Sequence, residues 1–210
     1  FGESPFNVAN KVVAYSKGLE DGGVLSVSKH FPGHGDTDVD SHKALPVLPF
    51  TRARLDSIEL YPFRKAIRAG LGGMMVGHLE VPAIEPQKGL PSSLSRKVVS
   101  GLLVNDLGFQ GLVFTDALAM KGVSGNESIL QALKAGNDLL LVPRRIKEEV
   151  EAVLAAVKKG ELTEKEIEAK CRKVLKYKYA LGLEKKPHVQ LSGLGTRINT
   201  PKTRDLMRRL

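Results

Sequence analysis

The sequence predicts an α/β fold, a partial (β/α)8 barrel made of about its last four βα units with the N-terminal part absent. Three observations carry that prediction. Short, continuous apolar runs alternate strictly with amphipathic helical patterns, as in parallel sheets covered by helices on both faces. The ionisable residues Lys29-His30, His78 and Asp116 each follow a different apolar run, where barrel enzymes gather their chemistry. The chain also opens on a helix with no strand before it, and about 250 residues are usual for a whole barrel.

In order, Val8, Val12, Val13 and Leu19 recur at helical spacing, with Asn7 as N-cap and Gly22-Gly23 as stop. Val24 to Ser28 reads as a buried strand. After a polar loop, Thr51 caps a helical pattern through Leu55 and Ile58; Pro62 interrupts it, Phe63 and Ile67 resume it, and Gly70 ends it. Met74 to Leu79 is a strand, Ser95 to Leu107 a helix stopped by Gly108, and Leu112 to Thr115 a strand. Asn126 to Ala135 is a short helix, Leu139 to Val142 a fourth strand, and Ile146 through Val157 a helix stopped by Gly160. A capping box at Thr163-Glu-Lys-Glu166 starts a helix that ends near Gly182. Residues 1–183 therefore form the barrel part. Residues 184–210 read as a basic linker in which Thr200 caps a further element with Pro201 at its first position.

Composition narrows the function classes. The 42% hydrophobic and 26% charged content is that of a folded domain, and no apolar run reaches the roughly 20 residues of a membrane-spanning helix. Residues 184–210 hold seven Lys/Arg against two acids, more than half of the net +9. Basic residues are not interleaved with aromatics and there is no Trp, so nucleic acid is not the expected partner. Cys171, the single cysteine, cannot close an intrachain disulfide and falls at an apolar helical position that predicts core packing.

The stretch VLSVSKHFPGHGDTDVDSH, Val24 to His42, concentrates ionisable groups where a strand gives way to a loop. Its Asp36-Thr-Asp-Val-Asp-Ser segment begins like a calcium loop, but the sixth position is Ser41 instead of Gly and the twelfth is Val47 instead of Glu. The Gly70-Leu-Gly-Gly73 run precedes a strand, whereas a dinucleotide fingerprint follows one. Two readings stay open on residues alone. His30, His34, His42, Asp36, Asp38, Asp40 and His78 could supply a hydrolytic metal site. Alternatively Asp116 is a carboxylate nucleophile, and Asp40-Ser-His42 a dyad whose acid orients an imidazole for proton transfer. An Asp at a strand end also caps turns, and a lone D-x-H arises by coincidence.

Lys29-His-Phe-Pro-Gly-His-Gly35 followed by Asp40-Ser-His42, together with Thr115-Asp-Ala-Leu118, resembles glycoside hydrolase family 3, specifically its β-N-acetylglucosaminidase branch. The resemblance runs from Phe1-Gly-Glu-Ser-Pro5 to about Leu183. It implies a retaining exo-β-N-acetylglucosaminidase acting on terminal β-linked N-acetylglucosamine, peptidoglycan fragments included, without metal or cofactor. By that resemblance Asp116 forms the glycosyl-enzyme and His42, paired with Asp40, is acid and then base. Lys29 and His30 bind sugar hydroxyls, His78 lines the pocket, and His34 supports the loop. It also implies sugar-binding residues on a first barrel half. The 210 residues alone are therefore expected to be inactive, and an N-terminal piece or self-association is expected to close the sheet.

Overall fold

A computed structural model describes residues 1–37, 44–120, 123, 127–185 and 190–209. It divides into two compact units, Phe1–Lys176 and Tyr177–Leu210.

The first unit opens with α1 (Pro5–Asp21). Its N-cap is Ser4, whose hydroxyl accepts from the Asn7 amide, and Pro5 takes the first helical position, where a missing N–H costs nothing. The cap thus lies three residues ahead of the expected Asn7. Strand β1 (Val27–Phe31) also starts later than the apolar run, because Val24 is exposed and the strand continues through Lys29 and His30. Thr51 caps α2 (Arg52–Arg54), accepting from the Arg54 amide, and a π turn at Leu55–Glu59 leads into α3 (Leu60–Arg68). The expected interruption at Pro62 is displaced. Pro62 stands in the first turn of α3 and the wide turn lies just upstream, where it relieves the crowding between a proline ring and the preceding turn.

Strand β2 (Gly73–Val76) and β3 (Leu112–Thr115) bracket a short 3₁₀ turn (Ser92–Leu94) and a π-type helix (Lys97–Asp106). The three strands form one parallel sheet in the order β1-β2-β3, with an irregularity in register between Ser28 and Phe31. Both the Lys29–His30 and the Phe31–Pro32 peptides are cis. Strand spacing at the start of β3 requires Gly111: a Cβ there would lie 2.3 Å from the Gly72 carbonyl oxygen. Phe31, Met74, Val76, Val98, Leu102 and Val113 fill the core between sheet and helices.

The expected fourth strand is reduced to one parallel bridge, Phe114 to Leu139. Leu139 exchanges backbone hydrogen bonds with Val113 and Thr115, after which Val142 turns the chain away at φ 45° immediately before Pro143. Leu141 and Val142 are correspondingly exposed. Helices α4 (Glu127–Ala135), α5 (Ile146–Lys158) and α6 (Glu164–Ala180) follow. The capping box closes as expected: Thr163 Oγ1 accepts from the Glu166 amide and Glu166 Oε2 from the Thr163 amide. Cys171 is exposed, which corrects the expectation of core packing; α6 has no fully buried residue, so its apolar positions meet solvent.

In the second unit, α7 (Leu194–Ile198) occupies part of the expected linker, and Thr200 caps α8 (Pro201–Arg209) through the Thr203 amide. Among the described residues no helix is long and apolar enough to cross a membrane.

Candidate active site

The parallel sheet brings the C-terminal ends of its strands to one edge, and three of the predicted residues meet there. Asp116 follows β3. Its backbone N–H donates to the Val76 carbonyl (2.9 Å), which continues the ladder one residue past the strand and fixes where the side chain begins. The carboxylate is held asymmetrically. Oδ1 accepts from the amide of Ala117 (2.8 Å), whereas Oδ2 faces His30 Nε2 at 3.7 Å. Asp116 is mostly but not fully covered, with 13% of its side chain exposed.

His30, on β1, is half-buried and meets the His34 ring edge-on at 5.8 Å between centroids. Burial pushes its pKa below the ordinary 6.5, and the positive Lys29 and the neighbouring His34 and His78 act in the same direction; only Asp116 opposes them. It is therefore a neutral imidazole near pH 7, a hydrogen-bonding group and not a cation. Lys29 is exposed beside it. His34 Nδ1 lies 2.8 Å from Thr37 Oγ1, which ties the first turn of the loop to itself.

His78 is placed differently from the other imidazoles. It is 1% exposed, with Nδ1 2.7 Å from Ser93 Oγ and Nε2 3.1 Å from the Ala117 carbonyl oxygen. The expected pocket-lining position is thus replaced by one behind the site, because the short 3₁₀ turn carrying Ser93 closes over the ring. Asp40 and His42, the expected acid/base dyad, lie outside the described residues.

Sequence reasoning missed the anchor of this loop. Arg54 donates to Asp36 Oδ2 (3.0 Å) and Glu59 Oε1 (3.1 Å) and covers the Phe50 ring. Gly33, at φ 138°, packs so closely on Glu59 that a Cβ would lie 2.9 Å from the Glu59 Cβ. No periodicity marks such a contact; only the glycine hints at it. On the other side of the loop, the Leu48 N–H donates to the Glu80 carbonyl and the Glu80 N–H to the Pro46 carbonyl.

A cavity of about 770 Å³ runs along the outer side of β1. Lys29, His30 and His34 reach it, together with the apolar side of α1 through Val8, Val12 and Leu19. Asp116 is not among its lining residues. Two buried polar atoms at its wall, Ser28 Oγ and Glu59 Oε2, have no hydrogen-bond partner among the described residues. Among the described residues no three of His, Cys, Asp and Glu group as a metal site would require.

A parallel α/β sheet with a carboxylate and an imidazole converging at its C-terminal edge defines a domain of the enzyme type. The chain belongs to glycosyl hydrolase family 3: the model of that family's N terminal domain matches residues 1–177. It is 37% identical over 161 residues to a beta-hexosaminidase of Chromobacterium violaceum, covering 75% of this chain and 44% of that protein. It is equally identical to Beta-hexosaminidase A of Pseudoalteromonas piscicida, covering 70% and 27%. Among solved structures, a glycoside hydrolase family 3 beta-N-acetylglucosaminidase from Paenibacillus sp. str. FPU-7 superposes with a TM-score of 0.87 at 42% identity, over 94% of this chain and 38% of the other. The chain thus spans less than half the length of these relatives.

Proposed function

We propose that this chain contributes the C-terminal part of a (β/α)8 barrel to a retaining exo-β-N-acetylglucosaminidase acting on terminal β-linked N-acetylglucosamine, peptidoglycan fragments among its substrates. The observation that supports it most is the Asp116 carboxylate, anchored by one oxygen to Ala117 and presenting the other beside a neutral His30 at the C-terminal edge of the sheet. The names of the relatives, beta-hexosaminidase and beta-N-acetylglucosaminidase, support the sugar class.

In this reading Asp116 Oδ2 attacks the anomeric carbon as the glycosidic C–O bond breaks, and His42 gives its proton to the departing oxygen. Asp40 stabilises the imidazolium form that supplies the proton. Water then attacks the same carbon, its proton passes to His42, and the ester to Asp116 breaks to restore the carboxylate. Two displacements give net retention. An imidazole in the acid/base role takes the pair outside the two-carboxylate spacing rule. Lys29 and His30 hold sugar hydroxyls and so orient the ring for attack.

The outer edge of β1 accepts a further strand, which completes the barrel; the adjoining cavity and the unpartnered Ser28 Oγ and Glu59 Oε2 favour that occupant. The missing barrel half is the proposed source, self-association the alternative, and residues 1–210 alone then turn over substrate poorly. Residues 1–183 form the barrel part and 184–210 a basic connection to a following element.

The test is the stereochemistry of hydrolysis. With an aryl β-N-acetylglucosaminide and the protein in its full natural length, nuclear magnetic resonance should show the β-anomer of the sugar first, with no dependence on chelator. First appearance of the α-anomer, or loss of activity with chelator and recovery with metal, would overturn the mechanism.

A further inference from the structure

The geometry points to His78 as a positioning residue for the nucleophile, acting through the backbone of Ala117; the inference rests on the reading of Asp116 given above. His78 lies beyond hydrogen-bonding contact with any sugar, since it is 1% exposed and both ring nitrogens are engaged. The partners define its tautomer. A carbonyl oxygen only accepts, so the proton is on Nε2 and is donated to Ala117 O; Nδ1 is then bare and accepts from the Ser93 hydroxyl. The Ala117 residue so gripped is the one whose N–H donates to Asp116 Oδ1. The contacts run from Ser93 O–H to His78 Nδ1 and from His78 Nε2–H to the Ala117 carbonyl, then through the Ala117 Cα to the N–H that ends on the carboxylate.

The neighbours show why such a brace is needed. After Thr115 the chain leaves the sheet, and among the described residues the Asp116–Leu118 turn is tied to other elements by Asp116 N–H to Val76 O, Leu118 N–H to Leu141 O and His78 to Ala117 O, with Met120 N–H to Ala117 O closing the turn on itself. The first two fix the ends of the turn. The Ala117 carbonyl between them accepts from the Met120 N–H (3.0 Å), which is local to the turn, and from His78. Among the described residues His78 is what ties that carbonyl to the second strand's end and, through the Ala117 Cα, restrains the direction of the Ala117 N–H bond. Ser93 is itself immobilised, fully buried, with its carbonyl accepting from Asn137 Nδ2, which also donates to Ala132 O. Burial keeps the ring neutral, so it braces the turn without placing a cation behind the carboxylate. A displacement of the nucleophile by about 1 Å can cost on the order of a hundredfold in rate.

The test uses the protein in its full natural length and a 5-fluoro N-acetylglucosaminide inactivator, at a temperature where circular dichroism shows each variant folded. His78→Phe fills the space without a donor; His78→Gln restores an N–H directed at Ala117 O; Ser93→Ala removes the hydroxyl that sets the tautomer. The expected result is a fall of at least tenfold in the maximal trapping rate for His78→Phe, with half-saturation within twofold of the parent. His78→Gln should return to within about threefold of the parent, and Ser93→Ala should lie between. Trapping at the parental rate in His78→Phe, or a raised half-saturation at unchanged maximal rate, would overturn the inference. If His78→Phe does not fold, Ser93→Ala and His78→Gln decide it: a Ser93→Ala trapping rate equal to the parent's overturns it. Asp116→Asn separates the two levels. Loss of activity in Asp116→Asn beside unaffected His78 variants removes only the brace, whereas survival of activity in Asp116→Asn removes the nucleophile and the brace together.

Discussion

His30 Nε2 stands 3.7 Å from Asp116 Oδ2, so the ends of the first and third strands meet across the second. Because burial keeps His30 neutral, the pair is an imidazole beside a carboxylate and not a closed ion pair. His30 keeps a hydrogen-bonding nitrogen for a ligand. A fully protonated His30 would instead attract the carboxylate and lower its nucleophilicity.

The same burial makes stability depend on pH. His30 and His78 both have pKa values lowered from 6.5, so below 6.5 the unfolded chain binds protons that the folded chain refuses. Their contribution is fully present above about 6.5 and is lost as pH falls through the folded values. Melting temperature should be flat from pH 8 to 7 and fall between pH 6.5 and 5, and His78→Phe should reduce that slope. A melting temperature that rises over this interval would contradict the assignment.

Lys29 is exposed beside His30 and is assigned to sugar hydroxyls. Lys29→Ala should lower kcat/KM by about 10- to 100-fold, the equivalent of one charged hydrogen bond, while leaving the melting temperature within a degree or two. Steady-state kinetics with an unmodified disaccharide check this; an unchanged kcat/KM would remove Lys29 from the site.

With His42 as the proposed proton donor, the effect of its loss should depend on the leaving group. His42→Ala is expected to slow glycosides with poor leaving groups by about 10²–10⁴-fold and activated aryl glycosides far less, with Asp40→Asn intermediate. A set of aryl glycosides of graded leaving-group acidity gives the slope directly. Equal losses across the set would count against an acid role for His42.

Two substitutions test the scaffold. Gly111→Ala drives a methyl group into the Gly72 carbonyl and the Phe109 ring, and should cost about 1–3 kcal/mol. Thr163→Ala removes the α6 cap at about 1 kcal/mol. Urea titration of each variant measures both; Thr163→Ala destabilising more than Gly111→Ala would invert the account of what holds this fold.

The elements legible in the sequence were those with local causes. Thr51, Thr163 and Thr200 cap helices because their hydroxyls reach the amides three residues on, a relation written entirely within four positions. Leu112–Thr115 was readable as a strand because its apolar run is buried and bounded by Gly111 and Asp116. The failures have tertiary causes. Leu139–Val142 has the composition of a strand, but the chain leaves the sheet after a single bridge. Cys171 sits at an apolar helical position that nothing covers among the described residues of its unit. The position of His78 was not legible at all, since Ser93 and Ala117 are 15 and 39 residues away from it. That His30 and Asp116 lie side by side was, by contrast, readable, because the ends of parallel strands converge whatever the loops do.

The central claim is that Asp116 is the nucleophile, and trapping the glycosyl-enzyme tests it most directly. After inactivation by a fluorinated N-acetylglucosaminide, peptide mapping by mass spectrometry should place the sugar on Asp116, in the segment that follows Leu112–Thr115, with one sugar bound per inactivated chain. A label on any other residue, or complete inactivation without a label on Asp116, would contradict the account.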